Sequence, residues 1–290
     1  MQFRYFFMIS GFTLMNFRDR YGVSDFMIKR IRRTVVPFLA WSTITYVMLF
    51  FLGHIPEESN FLLSVINCSH FSIYWFFIPL FACYLSIPVL SLVENKVKIF
   101  SYLAAYAFVS YSVIPFIESY FGIVINHGIQ APIGGGYVLY LLLGYLLGTI
   151  DLDRNKRLVI YSLGVFGWAL HCVMTIVLSP DGGNINMLFK GYLNFPCVLH
   201  SCAIFVYCKY TNWEWIYRRK WVSYAFNKIK ECGLGVYLIH GIFVYYVVPY
   251  LGIRTASMVY RTVGALIIVI LSVAMTMAIK RIPVLKNIVP

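Results

Sequence analysis

Nine apolar runs, joined by short connections, constrain this chain more than any other feature of its sequence. They cover residues 3–17, 34–53, 71–93, 99–117, 133–150, 158–178, 192–210, 232–251 and 262–279. Strands of a membrane barrel alternate apolar and polar residues, and these runs do not. An unpaired backbone group in hydrocarbon costs several kcal/mol, and a helix satisfies all of its own groups, so each run predicts a helix. A span needs about 20 apolar residues. The expected fold class is therefore all-α: a polytopic membrane helix bundle of about nine transmembrane helices, forming a single domain over 1–290. Composition agrees. The chain is 60% hydrophobic and 12% charged, whereas soluble domains carry about 45–50% and about 25%. No long polar stretch is left for a second domain.

The formal net charge is +13, from 24 Lys and Arg against 11 Asp and Glu. In a soluble protein this would point to nucleic acid, but its distribution points elsewhere. The connections 18–33, 94–98, 151–157, 209–231 and 280–290 hold 20 of the basic residues; the alternate ones hold 3, and Arg4 stands at the start of the first run. This positive-inside pattern places the basic connections and the C-terminus in the cytoplasm, as in a multi-pass protein of the inner membrane. It explains the charge with no nucleic-acid partner. The same parity puts Met1 outside, so an upstream helix is expected, and the in-frame DNA before Met1 tests for it. The seven Cys include no C-x-x-C, and neither a metal site nor a disulfide framework is expected. Gly144 and Gly148 form a G-x-x-x-G that permits close helix approach. Gly134, Gly135 and Gly136 open the fifth run as a flexible entry or a tight turn.

Chemistry must be sought in polar groups at membrane depth or at its edges. Lys29, Arg30 and Arg33 sit where the second run enters the membrane. On a helix Arg30 and Arg33 share one face, and Lys29 and Arg33 another. They are either a topological anchor on anionic lipid or a clamp for phosphates, whose oxygens fit the guanidinium fork. His54, His70 and His127 lie in outer connections; His171, His200 and His240 lie within runs. A buried His is either a neutral hydrogen-bonding group between helices or a general base. His240 stands out because Gly235 and Gly241 thin its helix and would let a substrate approach. Glu118 and His127 share an outer connection and either orient a hydroxyl acceptor or are simply solvated. Tyr74 and Trp75 are either interfacial belt aromatics or a platform for a sugar ring.

Several segments resemble motifs of the acyltransferase 3 family of integral membrane enzymes. Phe6-Phe7-Met8-Ile9-Ser10-Gly11-Phe12 resembles its F-F-(M/V)-I-S-G-(F/Y) signature. Residues 26–37 resemble its basic motif, with Arg30 and Arg33 matching the R-x-x-R element. Tyr74-Trp75-Phe76-Phe77 through Tyr84, Ile87 and Pro88, then Gly144-Tyr145-Leu146-Leu147-Gly148, then Gly235-Val236-Tyr237-Leu238-Ile239-His240, follow in the family's order, and the tail from Lys280 to Leu285 also fits.

The resemblance implies a ten-helix bundle with both termini cytoplasmic. It also implies transfer of an acyl group, most often acetyl, from cytoplasmic acyl-CoA to a hydroxyl of a cell-surface glycan or its lipid-linked precursor. Acyl-CoA (acetyl-CoA) is then a co-substrate, no resident cofactor is expected, and the partners are membrane lipids and a glycan or lipid-linked glycan. The basic motif, Arg30, Arg33 and Lys29, is expected at the CoA phosphates. The family's first helix carries an Arg and a His to which transfer is attributed, and the chain has no counterpart of either because it opens at the family's second helix. His240 is accordingly expected as a second polar group lining the cavity, the catalytic candidate that remains. Two other classes compete. A glycan transporter or flippase would show inverted repeats and paired broken helices, and an inactive truncated relic would show no activity.

Overall fold

The computed structural model describes residues 3–56, 58–179, 185–255 and 257–289. Met1 and its sidedness thus lie outside the described residues. All regular structure among the described residues is helical. Each apolar run coincides with a helix. Six are long and apolar enough to cross a membrane: Val23–Phe51, Ser72–Leu90, Lys96–Phe121, Arg154–Val177, Lys220–Tyr250 and Tyr260–Lys280. Three are shorter: Phe3–Leu14, Val138–Thr149 and Phe195–Tyr210. Local sequence explains the shortening. Positive φ at Gly134 (85°) and Gly136 (58°) turns the chain before Val138. Pro196 fits the first turn of the helix it opens, where no N–H is needed. Two further short helices, Phe61–Asn67 and Glu214–Arg218, occupy connections.

Among the described residues four helices contain a π turn, at Ile31–Val35, Val109–Val113, Phe243–Val247 and Tyr260–Gly264. The first three each end two residues before a proline: Pro37, Pro115 and Pro249. Proline lacks an N–H, and its ring presses on the carbonyl one turn back. Widening the turn hands that carbonyl to the next donor along, which restores the pairing that hydrocarbon demands. No proline follows Tyr260–Gly264, and nothing in the sequence explains that turn.

The helices form two compact units, one of Met1–Val23 and Pro79–Thr211, the other of Ser24–Ile78 and Asn212–Pro290. In the first, Phe3–Leu14 lies along Val138–Thr149. A Cβ on Gly144 would fall 2.0 Å from the Met8 carbonyl oxygen, and one on Gly11 2.0 Å from that of Leu141. The glycines thus bring two backbones into contact, as the G-x-x-x-G spacing anticipated. The nearest atoms to a Cβ on Gly148 are those of the Phe12 ring, a side chain rather than backbone. Gly144→Ala is therefore expected to destabilise the protein by about 1–3 kcal/mol, and Gly148→Ala by less. Unfolding midpoints in detergent give the comparison. Arg154–Val177 packs along Phe195–Tyr210 in the same unit. It starts at Asp153, whose Oδ1 accepts from the Lys156 amide at 2.8 Å. That bond holds the Asp153 carboxyl below its usual range.

In the second unit Lys220–Ile242 packs along Ala265–Lys280, and Val36–Phe51 is tied to the C-terminal segment by the Trp41 indole, which donates to the Ile288 carbonyl at 2.9 Å.

Candidate active site

The second unit contains six of the eight candidate residues: Lys29, Arg30, Arg33, Tyr74, Trp75 and His240. Glu118 and His127 belong to the first.

The basic stretch occupies the start of the Val23–Phe51 helix. Arg30 is half-buried, with its guanidinium carbon 5.5 Å from the Phe26 ring centroid, while Lys29 and Arg33 are exposed. The Ile31–Val35 π turn runs through the R-x-x-R element. A wider turn spreads residues three apart and brings those four apart closer to alignment. The facing expected of Arg30 and Arg33 on a regular helix is therefore loosened, and that of Lys29 and Arg33 is favoured.

Farther along that helix is a polar centre which the sequence did not reveal. Thr45 Oγ1 lies 3.1 Å from His70 Nε2, and His70 Nδ1 lies 3.0 Å from the Ser64 carbonyl oxygen. A carbonyl only accepts, so Nδ1 carries the proton and Nε2 keeps its lone pair, facing the Thr45 hydroxyl, which donates to the Trp41 carbonyl at 2.8 Å. Burial holds His70 below its ordinary pKa, although its backbone hydrogen bonds oppose this. Burial also pushes the neighbouring Cys68 thiol up to about 11, which removes it as a nucleophile at neutral pH. The folded state thus favours neutral His70. Its contribution to stability is complete above the unfolded-chain pKa of about 6.5 and is lost as pH falls through the depressed folded value. Between pH 7.5 and 5 the unfolding midpoint should fall further in the wild type than in His70→Gln.

Tyr74 is fully buried. It is neither an interfacial aromatic nor an open platform, because its side chain locks two helical segments together. Its hydroxyl donates to the Leu238 carbonyl at 2.9 Å, and the Tyr237 hydroxyl donates in return to the Ile73 carbonyl. This reciprocal pair fixes the segment that carries His240. Trp75 remains half-exposed. His240 is also half-buried, with Nδ1 2.7 Å from the Tyr237 carbonyl oxygen and 3.2 Å from that of Val236. The same acceptor argument puts its proton on Nδ1 and leaves Nε2 as the basic nitrogen. Gly235 and Gly241 do not open a path for substrate. A Cβ on Gly235 would strike Thr276, and one on Gly241 would strike Phe71 and Ile73. Both glycines serve close packing.

In the first unit Glu118 is half-exposed, and its Oε1 accepts from the Ile125 amide at 2.7 Å, which shapes its own loop. His127 is exposed, with Nδ1 3.3 Å from Gln130 Nε2. Among the described residues no group of three or more His, Cys, Asp or Glu side chains is placed to hold a metal ion.

Six helices long and apolar enough to cross a membrane, among the described residues, define a multi-pass membrane protein. Residues 4–277 match the family model described as an acyltransferase domain. The chain belongs to the acyltransferase 3 family and is a membrane acyltransferase. No curated protein and no solved structure matches it.

Proposed function

We propose that the protein moves an acyl group, acetyl foremost, from cytoplasmic acyl-CoA to a hydroxyl of a cell-surface glycan or its lipid-linked precursor. It would do so in the cytoplasmic membrane, with its C-terminus in the cytoplasm. One observation carries this reading. A single compact unit holds a cationic helix start and, beyond it, two histidines, His70 and His240, whose Nδ1 atoms each face a backbone carbonyl. Thr45 follows Arg33 by twelve residues, about 18 Å along a helix. A thioester held by its CoA phosphates at Lys29, Arg30 and Arg33 would extend its pantetheine arm over a distance of that order. His240 Nε2 would take the acceptor hydroxyl proton as its oxygen attacks the thioester carbonyl. The new C–O bond forms, the C–S bond breaks, and the CoA thiolate leaves to take up a proton. Within that unit Trp75 is the aromatic left to meet the acceptor, since Tyr74 is buried.

The test is labelling of surface glycan from radiolabelled acetyl-CoA in a knockout strain and in the same strain complemented. Loss and recovery of label is expected. A sugar-transport phenotype with unchanged acylation would make the protein a transporter, and no phenotype at all would make it inactive. Reporter fusions within 18–33 must also report the cytoplasm; an exterior signal removes the CoA clamp.

A further inference from the structure

The first unit contains a polar cavity that the proposed reaction does not use. It has a volume of about 160 Å³, and Arg4, Trp168, His171, Cys197 and His200 are among the residues that line it. Arg4 is 6% exposed. Its Nη1 donates to the Cys197 carbonyl at 2.8 Å, which seats the guanidinium against the wall. His171 Nδ1 is 2.9 Å from the Phe189 carbonyl oxygen, so the tautomer of this imidazole is fixed too. The lining as a whole has one guanidinium and two imidazoles and no carboxylate. Its potential is therefore positive, and a guanidinium fork matches the oxygens of a phosphate or carboxylate.

A second cavity of about 250 Å³ shares Trp168 and His200 with the first. Its other walls include Tyr161, Val165, Ile204 and Tyr207. From the shared pair it descends one helical turn at a time, through Val165 and Tyr161 on one helix and Ile204 and Tyr207 on the other. Val165, Trp168 and Tyr207 are exposed, as expected where a membrane helix meets acyl chains. His171 lies seventeen residues beyond Arg154, about 26 Å up the helix. The polar cavity thus sits on the side remote from the basic connection 151–157, and the apolar one runs from mid-helix back towards that connection. A charged pocket among the helices, continued along them by an apolar slot with lipid-exposed walls, has the polarity of an amphiphile.

We propose that these joined cavities bind an anionic amphiphile. Its phosphate or carboxylate head would lie at Arg4 and His200, and one hydrocarbon chain would lie in the slot beside Val165 and Tyr207.

Native mass spectrometry of the full chain in neutral detergent tests this with three probes: dioleoyl phosphatidylglycerol, dioleoyl phosphatidylcholine and glycerol phosphate. The wild type should bind phosphatidylglycerol about tenfold more tightly than phosphatidylcholine, the effect of one hydrogen-bonded charge pair. Arg4→Gln and His200→Gln should each lose that preference. Val165→Trp, which fills an exposed slot position, should weaken lipid binding. If Arg4→Gln fails to fold, His200→Gln carries the comparison. Equal binding of the two lipids by the wild type overturns the proposal, as does a preference that survives in His200→Gln. Glycerol phosphate binding as tightly as phosphatidylglycerol, with Val165→Trp unchanged, reduces the site to one for a free anion and overturns the role of the slot.

Discussion

Changing Arg30 and Arg33 together to alanine is expected to lower kcat/KM for acetyl-CoA by about two orders of magnitude, mainly through KM. Each arginine that meets a phosphate makes charge-assisted hydrogen bonds of about 1.5–3 kcal/mol, and 1.4 kcal/mol is a factor of ten. The two side chains stand in different surroundings. Arg30 is half-buried against Phe26, whereas Arg33 is exposed. Arg30→Ala alone should therefore exceed Arg33→Ala, because an exposed charge is screened by salt and water. An anchoring role predicts something else: lost membrane insertion or altered topology, with KM unchanged in whatever protein inserts correctly. Measuring KM on correctly inserted protein separates the two roles. An unchanged KM in the double variant ends the clamp.

How far the sequence foretold the molecule depends on whether a feature is periodic and local or long-range. The helices of the nine apolar runs are legible because hydrocarbon leaves the backbone no alternative. Close contact at Gly144 was legible because its spacing repeats on one helix face. The polar centre was not. Thr45 is one hydroxyl in an apolar run, and His70 looked like an outer-loop residue; only the fold brings them within 3.1 Å. The role of Tyr74 is hidden in the sequence for the same reason. An aromatic at the start of an apolar run looks interfacial until its partner, the Leu238 carbonyl 164 residues away, is in place. Gly235 and Gly241 suggest openings in the sequence, yet the helix face they thin is filled by Thr276, Phe71 and Ile73. The three π turns before Pro37, Pro115 and Pro249 lie between these cases. The prolines were visible, but a kink, a break and a widened turn all answer a missing N–H, and sequence does not choose among them.

Substitution of His240 by glutamine should cut kcat by about 10²–10⁴-fold, the usual contribution of a positioned general base. The segment that holds this residue is fixed independently of the imidazole. Tyr74 bonds to the Leu238 carbonyl, Tyr237 bonds to the Ile73 carbonyl, and Gly235 and Gly241 are wedged against neighbours. Glutamine can still donate from its amide to the Tyr237 carbonyl that His240 now engages, but it has no basic nitrogen to replace Nε2. The unfolding midpoint should therefore stay near that of the wild type while kcat falls and KM for acetyl-CoA is little changed. The acid limb of the kcat–pH profile should also vanish, because the group that must be unprotonated is gone. If His240 were only a hydrogen-bonding spacer, glutamine would preserve kcat and the limb would remain. If the fall in kcat came with an equal fall in stability, the loss would lie in the helix lock. Tyr237→Phe, which breaks the lock and leaves the imidazole, supplies the reference: stability drops and the acid limb persists.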